Sequence, residues 1–474
     1  DELTVLPAGA AEVRGRQKAA LAEVLHERRT SAALGDLIAA AEAQAAGLGA
    51  FEAAAVRDAR RNFDRQAKVP VELARLEAEL GSRGYHAWAK AREGDDWGSF
   101  APVLQELLDL RQRMAAAVRP DLDPYNFAID TFERGMTHER LAEILGAVKD
   151  GLVPLIARVK ARPPLEQHAA LAAGQFDVKA QEAACRELAT AMGFDWSKGR
   201  LDVSLHPFTG GSHPTDVRIT TRYSEDTFLE SVMGLIHETG HALYEQGRSL
   251  EFDGLPVNEA LSMGIHESQS LLWERMVGQR RSFWDHASAV LRRHFPATAE
   301  CSPEDFYRYV NKVMPENLIR VDADELTYPL HVCVRFELER ALFDGSVTVE
   351  GLPEAWNEKM EEYLGVRPPN DKVGVLQDVH WSDGSFGYFP SYTLGAMYAC
   401  QFYEAAEKAL PGLDGEIRKG EFARLKQWLN EKIHAKGSLH PSADELCEAV
   451  TGEVLRPDAF VRYLTEKYTA LYGL

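Results

Sequence analysis

The chain has 474 residues and a formal net charge of −20 at pH 7, from 53 basic and 73 acidic side chains. This acidic balance, with no block of basic residues to offset it, excludes nucleic acid and anionic membranes as partners. Hydrophobic residues make up 45% of the chain, which is enough for a sizeable core, and no apolar stretch is long enough to span a membrane. Five scattered cysteines without a C-x-x-C spacing favour reduced thiols in a cytoplasmic protein.

The first part of the chain has the pattern of consecutive amphipathic helices. Apolar residues recur at three- and four-residue intervals, first around Leu21 and later around Leu104. Helix breaks are predicted where glycine or proline gathers, at 47–49, 68–70 and 119–124. These helices carry no cluster of catalytic residue types. We therefore interpret residues 1–474 as a single domain, in which 1–200 form a helical cover and any catalytic residues are expected in the half formed by 201–474.

Strand signals are confined to one short region. Alternating apolar and polar residues at 201–205 and 217–223 predict two strands. The glycine-rich segment 210–214 is interpreted as their connection, so the two strands are expected to form a small antiparallel sheet. Sheet edges of this kind can pair with extended peptides. Asp216 and Arg218 point to the same face of the second strand, which leaves open whether Arg218 forms an internal ion pair or contacts substrate.

The most informative segment follows this sheet, because residues 237–241 have the pattern H-E-x-x-H. A proline-free run at 228–236 leads into the segment and predicts a helix. Residues four apart lie on the same face of a helix, so His237 and His241 can offer two imidazole nitrogens to one metal ion. Glu238 lies beside them, where its carboxylate can take a proton from water. The pattern is typical of zinc peptidases.

A third metal ligand is expected from a second helical segment at 258–269. Its candidates are Glu259, Glu267 and His266. The continuation that would place a third histidine soon after the second is absent. A carboxylate is therefore the better candidate, and two histidines with one glutamate leave a fourth position open for water.

Five motifs lie in order along nearly the whole chain: D-x-R-x-T at 216–220, H-E-x-x-H at 237–241, H-E-S-Q at 266–269, I-R-x-x-A-D at 319–324 and G-x-x-Q-D-x-H-W at 374–381. In this order they resemble the carboxypeptidase Taq family of metallocarboxypeptidases. The resemblance implies a mainly α fold, with a large all-helical body, a deep central cleft and a small antiparallel sheet beside the zinc helix. It also implies a homodimer.

The resemblance assigns metal-binding and proton-transfer roles residue by residue. His237, His241 and Glu267 would hold one Zn²⁺ per chain, with Co²⁺ as the alternative metal. Glu238 would be the general base.

The resemblance assigns substrate contacts as well. Arg320 would bind the free carboxylate of the last residue of a peptide, since a guanidinium can hold a carboxylate through two parallel hydrogen bonds. The residues alone also allow an arginine that is neutralised by the acidic side chains at 322–325. His380 and Tyr388 would donate hydrogen bonds to the oxyanion. For His380 the alternative is a buried imidazole that is satisfied by Asp378.

These roles predict a metal-dependent carboxypeptidase that releases single amino acids from peptides with a free C-terminus. The main alternative is a zinc oligopeptidase or dipeptidyl carboxypeptidase of similar fold. A catalytically silent peptide-binding protein is disfavoured, because the three ligands and Glu238 occur together. The opening segment 1–7 resembles a W-D-x-x-T-x-M-P stretch of the family without its tryptophan, and we interpret it as a clipped start.

Overall fold

The computed structural model describes residues 4–474, so the first three residues of the opening segment lie outside the described part. From there to residue 198 the regular structure is helical, as predicted. All three predicted breaks separate consecutive helices. The helices of this part are α1 (Ala11–Arg29), α2 (Ala32–Glu42), α3 (Ala50–Ala67), α4 (Val71–Gly94), α5 (Trp97–Val118), α6 (Pro124–Phe132), α7 (His138–Lys160), α8 (Ala169–Ala172) and α9 (Val178–Met192).

The second part of the chain is also mainly helical. A π-helix, Leu272–Gly278, directly continues α11, and short 3-10 turns at Arg320–Asp322 and His380–Asp383 carry residues of two of the motifs. The helices of this part are α10 (Leu229–Gln246), α11 (Met263–Leu271), α12 (Phe283–His294), α13 (Pro303–Val310), α14 (Tyr328–Asp344), α15 (Leu352–Leu364), α16 (Pro390–Ala409), α17 (Leu413–Ile417), α18 (Ala423–Lys432), α19 (Ala443–Thr451) and α20 (Pro457–Tyr472). The predicted mainly α fold is confirmed.

The small sheet beside α10 has three strands, β1 (Gly199–Val203), β2 (Thr209–His213) and β3 (Asp216–Thr221), in the order β1-β3-β2. β1 pairs parallel with β3, and β2 pairs antiparallel with β3. The sheet is therefore present, but the prediction that it is antiparallel throughout is wrong.

The error lies in the glycine-rich segment, which is a strand rather than a connection. Gly211 has φ +138°, and a Cβ at this position would lie 2.0 Å from the carbonyl oxygen of Asp216. A glycine is required for this approach, and it sits at an irregularity in the β2–β3 register. Because β2 occupies one edge of β3, β1 has only the other edge available, where it runs parallel.

Tight packing of α11 between α10 and α16 positions the site. A Cβ on Gly240 of α10 would lie 2.6 Å from the carbonyl oxygen of Gln269, and a Cβ on Gly395 of α16 would lie 2.7 Å from Cγ of Glu267. Both glycines therefore let a helix approach α11 more closely than any larger residue would. Ser262 caps α11, because its Oγ accepts a hydrogen bond from the N–H of Ile265 at 3.1 Å.

The hydrophobic core crosses the boundary between the two parts of the chain. One continuous cluster of buried apolar side chains runs from Leu73 in α4 to Tyr468 in α20. All five cysteines are buried and unpaired, as predicted. Within residues 4–474, no helix has the length and apolar character that crossing a bilayer requires.

Candidate active site

Helix α10 and helix α11 bring together the three side chains that were predicted as metal ligands. His237 and His241 lie one helical turn apart on α10, and Glu267 lies on α11. The ligand atoms of the three residues lie within 4.8 Å of one another. Nε2 of His237 is 3.9 Å and Nε2 of His241 is 3.4 Å from Oε2 of Glu267. The same nitrogen of each imidazole therefore faces the carboxylate.

The Nδ1 atoms of the two imidazoles, on the side away from Glu267, contact other side chains. Nδ1 of His237 lies 2.8 Å from Oε2 of Glu274, in the π-helix. Nδ1 of His241 lies 2.6 Å from Nδ1 of His266, whose Nε2 lies 2.9 Å from Oε1 of Glu245. Such outer contacts fix the orientation of an imidazole and leave its inner nitrogen free for a metal.

The charge distribution at this point attracts a cation. Burial alone would lower the pKa of His237, but Glu267 and Glu274 raise it to about 10. Burial would raise the pKa of Glu267, yet the positive charge of His237 and the contact with His241 lower it to about 2. The cluster therefore stabilises positive charge on or between its imidazoles. Neutral imidazoles and an ionised carboxylate are the forms that bind a divalent metal.

Two alternative third ligands lie outside this cluster. His266 contacts Nδ1 of His241, so it orients that imidazole from the side away from Glu267. Glu259 is exposed beyond the 3-10 turn Pro256–Asn258. Within the described residues, the metal-binding group comprises only the two histidines and Glu267.

Arg320 is buried, with 4% of its side chain exposed, and its partner differs from the one expected. Nε and Nη2 donate to Oδ1 of Asp378 at 3.0 and 2.8 Å, and Nη1 donates to the hydroxyl of Tyr328 at 2.7 Å. The interpretation that its acidic neighbours at 322–325 neutralise Arg320 is therefore wrong. Arg335 also donates to Asp378, from Nε to Oδ2 at 2.6 Å, so two guanidiniums share one carboxylate.

Because Asp378 pairs with the two arginines, the alternative in which Asp378 satisfies a buried His380 is excluded. Burial would raise the pKa of Asp378, but Arg335 and Arg320 lower it, so the carboxylate is ionised and bound by arginines. His380 has no hydrogen bond to Asp378 among the described contacts. Its Nε2 instead lies 3.3 Å from the hydroxyl of Tyr392, and its Nδ1 is buried without a partner. Burial lowers the pKa of His380 to about 4, so the imidazole is neutral at pH 7.

The predicted tyrosine lies beside this imidazole. The ring centroids of Tyr388 and His380 are 5.1 Å apart, and those of Tyr388 and Tyr392 are 5.4 Å apart. Burial raises the pKa of Tyr388, and the negative charge of Glu267 adds to this effect. The tyrosine is therefore close enough to the metal-binding cluster to be influenced by its charge.

Arg218 lies on β3 and pairs with Asp216. Its Nε and Nη2 donate to the two carboxylate oxygens at 2.8 and 3.0 Å. The internal ion pair that the sequence left open is present, and 37% of the Arg218 side chain and 41% of the Asp216 side chain remain exposed.

Two cavities flank His266. One, of about 260 Å³, is bounded by β2 and by side chains that include Thr209, Glu245 and His266. The other, of about 210 Å³, reaches the helical first part of the chain at Arg61 and Arg134. On the two sides of His266, the open space is thus bounded by the sheet and by helices of the first 200 residues.

Comparisons with known proteins show which family the chain belongs to. Residues 1–468 match the family model described as carboxypeptidase Taq (M32) metallopeptidase. This chain belongs to the carboxypeptidase Taq (M32) family. Thermostable carboxypeptidase 1 of Thermus thermophilus is 41% identical over 485 residues, which cover 100% of this chain and 94% of that protein.

Two solved carboxypeptidase structures have the same fold. The M32 carboxypeptidase from Deinococcus radiodurans R1 is 39% identical, with a TM-score of 0.96 over 100% of this chain and 95% of that one. Metallocarboxypeptidase 1 of Trypanosoma cruzi is 39% identical, with a TM-score of 0.94 over 99% of this chain and 94% of that one. The protein is a metal-dependent carboxypeptidase, and hence a peptide hydrolase.

Membership of the M32 family implies a divalent metal, and the donor set fits one. Two imidazole nitrogens and one carboxylate oxygen lie within 4.8 Å of one another, and these are ligand types of catalytic zinc sites. The outer contacts of both imidazoles and the surplus of negative charge are those that a divalent cation requires.

Three supporting residues of this M32 site were not found from the sequence. Glu274 contacts His237, Glu245 contacts His266, and Tyr392 contacts His380. Spacing offered a signal for two of them, because Glu245 follows His241 by one helical turn and Glu274 follows Glu267 by two. No local pattern points to Tyr392.

A buried histidine behind the H-E-S-Q motif predicts acid sensitivity. Nε2 of His434 lies 2.9 Å from Oε1 of Gln269, and burial lowers the pKa of His434 to about 3. Because the pKa of His434 is lower in the folded than in the unfolded protein, its contribution to the free energy of unfolding is complete above pH 6.5 and is lost as the pH falls toward 3. The free energy of unfolding of the parent should therefore fall by about 2 kcal/mol between pH 7 and pH 5 because His434 becomes protonated on unfolding. In His434→Gln this part of the decrease should be absent. Urea unfolding at both pH values measures this difference, and equal losses would contradict it.

Proposed function

We propose that the protein releases single C-terminal amino acids from peptides with a free C-terminus, using one Zn²⁺ bound by His237, His241 and Glu267. The observation that carries the proposal is the convergence of both Nε2 atoms on Oε2 of Glu267, with each Nδ1 held from outside. Three protein ligands leave a position for water, which is the arrangement of catalytic rather than structural zinc. Co²⁺ is the alternative metal.

Glu238 is proposed as the general base. When bound, the metal supplies Lewis acidity that polarises a peptide carbonyl and lowers the pKa of water. Glu238 follows His237 on α10 and is 6% exposed, so it is largely shielded from solvent. Its negative charge helps to raise the pKa of His237, so its carboxylate lies near that imidazole. It takes a proton from the attacking water and returns that proton to the leaving amine.

Arg320 is proposed to bind the terminal carboxylate of the substrate. Its pairing with Asp378 does not cancel this role, because Arg335 shares the same carboxylate. Two guanidiniums and one carboxylate leave an excess of one positive charge in a buried place. A substrate carboxylate would balance that charge. Arg218, on β3, is proposed to contact a more distant part of the peptide.

His380 and Tyr388 are proposed to donate hydrogen bonds to the carbonyl oxygen as negative charge develops on it. A neutral imidazole has one N–H to donate, and the low pKa of His380 keeps it neutral at the pH of the reaction. Its contacts with the rings of Tyr388 and Tyr392 hold it in one orientation.

The role of Arg320 predicts a strong preference for free-acid over amidated peptides. An amide lacks the charge that pairs with the guanidinium, and such a contact is typically worth roughly 2–5 kcal/mol, or about 30-fold to several-thousand-fold in kcat/KM. Arg320→Ala should erase most of the preference by slowing cleavage of the acid. Arg218→Ala is the comparison, since it should affect acid and amide alike. The acid-to-amide ratio is internal to each variant, so it does not depend on how much protein is folded.

Mass spectrometry of the products tests the proposed function directly. Single C-terminal residues released in succession from one unstructured peptide are the expected result. Dipeptides or internal fragments, or equal cleavage of acid and amide, would instead indicate a dipeptidyl carboxypeptidase or an oligopeptidase.

We also propose a domain organisation, a cellular location and an oligomeric state. A single domain, with residues 1–200 covering the catalytic half, agrees with the continuous core. A cytoplasmic location agrees with five unpaired cysteines. A homodimer agrees with the exposed apolar side chains of α1, which include Leu21 and Val24. Light scattering of the purified protein would test the dimer.

A further inference from the structure

A threonine on the sheet is hydrogen-bonded to the proposed general base. Thr209 is the first residue of β2, at the edge of the sheet. Its Oγ1 lies 2.7 Å from Oε2 of Glu238 and 2.8 Å from the main-chain oxygen of the same residue. The hydroxyl can donate to either oxygen, so it joins β2 to both the side chain and the backbone of Glu238.

This contact distinguishes the two oxygens of the carboxylate. Oε2 is occupied by Thr209, whereas Oε1 accepts no hydrogen bond from the residues that the structure describes. A glutamate side chain has three rotatable bonds and samples several rotamers unless a partner restrains it. Hydrogen bonds to charged groups are stronger than those between neutral groups, so Thr209 restrains the ionised form of Glu238 in particular.

We propose that Thr209 is a positioning residue for the reaction. It holds Oε2 of Glu238 against the sheet and thereby leaves Oε1 as the oxygen that accepts the proton of the attacking water. The proposal rests on Glu238 being the general base. It also connects β2, which bounds the cavity next to His266, with the group that moves the proton.

Thr221 provides a matched control in the same sheet. Its Oγ1 donates to the main-chain oxygen of Ser231 at 3.1 Å, so it also joins the sheet to α10, but about two turns before Glu238. Replacing either threonine by valine removes a hydroxyl while keeping a β-branched side chain of similar shape. If attachment of the sheet to the helix were the whole role of Thr209, both variants would behave alike.

The test compares Thr209→Val, Thr209→Ser and Thr221→Val on one free-acid peptide. Thr209→Val should lower kcat by about 10- to 100-fold with KM changed by less than about twofold, because the base is mispositioned while substrate binding is intact. Its metal content and Tm should match those of the parent. Thr209→Ser restores the hydroxyl and should recover most of the lost turnover. Thr221→Val should keep the parent kcat.

Several results would overturn the proposal. Parent-like kcat in Thr209→Val would show that Glu238 needs no restraint from β2, and an equal loss in Thr221→Val would show a general structural effect. Failure of serine to restore turnover would show that the hydroxyl is not the active feature. Glu238→Gln in the same assay separates the two hypotheses: if it stays active, the proposed base is wrong, and if it is inactive while Thr209→Val is not, only the positioning role fails.

Discussion

Glu238→Gln is expected to retain the metal and to lose about 100- to 10,000-fold in turnover. The substitution keeps the size of the side chain and the hydrogen bond from Thr209, but removes the group that can carry a proton. Both deprotonation of the attacking water and protonation of the leaving amine depend on that group. The ligands on α10 and α11 are unchanged, so elemental analysis should find the parental metal content beside the loss of kcat.

Glu245→Gln is the matched control for this substitution. Glu245 lies on the same helix and contacts His266 rather than the reacting groups, so its loss should alter metal affinity more than proton transfer. Turnover within about tenfold of the parent in Glu238→Gln would show that another residue is the base. A variant that also lost its metal would leave the loss of activity attributable to the ligands instead.

The proximity of the two predicted histidine ligands follows from the sequence because their spacing is local. A helix places residues four apart on one face whatever surrounds it, so the pair His237 and His241 follows from the sequence alone. The family motif favoured Glu267 over Glu259 and His266. In the structure, Glu267 is the one of these three that lies with the two histidines. His266 is one residue from Glu267 on α11, so it points to a different side of that helix and meets His241 from behind.

The middle strand in sequence, β2, and the partner of Arg320 were not predictable because they depend on distant residues. Glycine-rich segments are typical of turns, and only the close approach to Asp216 makes the segment around Gly211 a strand. Arg320 has acidic residues immediately after it, but its ion-pair partner is Asp378, 58 positions away. Proximity in sequence therefore does not predict which carboxylate forms an ion pair with a buried arginine.

His241→Ala is expected to abolish stoichiometric metal binding and activity together. One histidine and one glutamate would remain, and two protein ligands hold zinc poorly. Elemental analysis after dialysis measures the loss directly. Full metal occupancy in this variant would show that the ligand set is wrong, and Glu259 would then be the next candidate to replace.

Gly395→Ala tests the same centre without removing a ligand. The added methyl would lie 2.7 Å from Cγ and 2.8 Å from Cβ of Glu267, so α16 would push the carboxylate away from the two imidazoles. Metal affinity should fall by about 10- to 100-fold, as it does when a residue that orients a ligand is lost. Gly146→Ala is the control, because a methyl at that position in α7 meets nothing within 4 Å. Unchanged affinity in Gly395→Ala would mean that α11 can shift away from α16 while its carboxylate keeps its place, and the close helix packing would then have no part in building the metal centre.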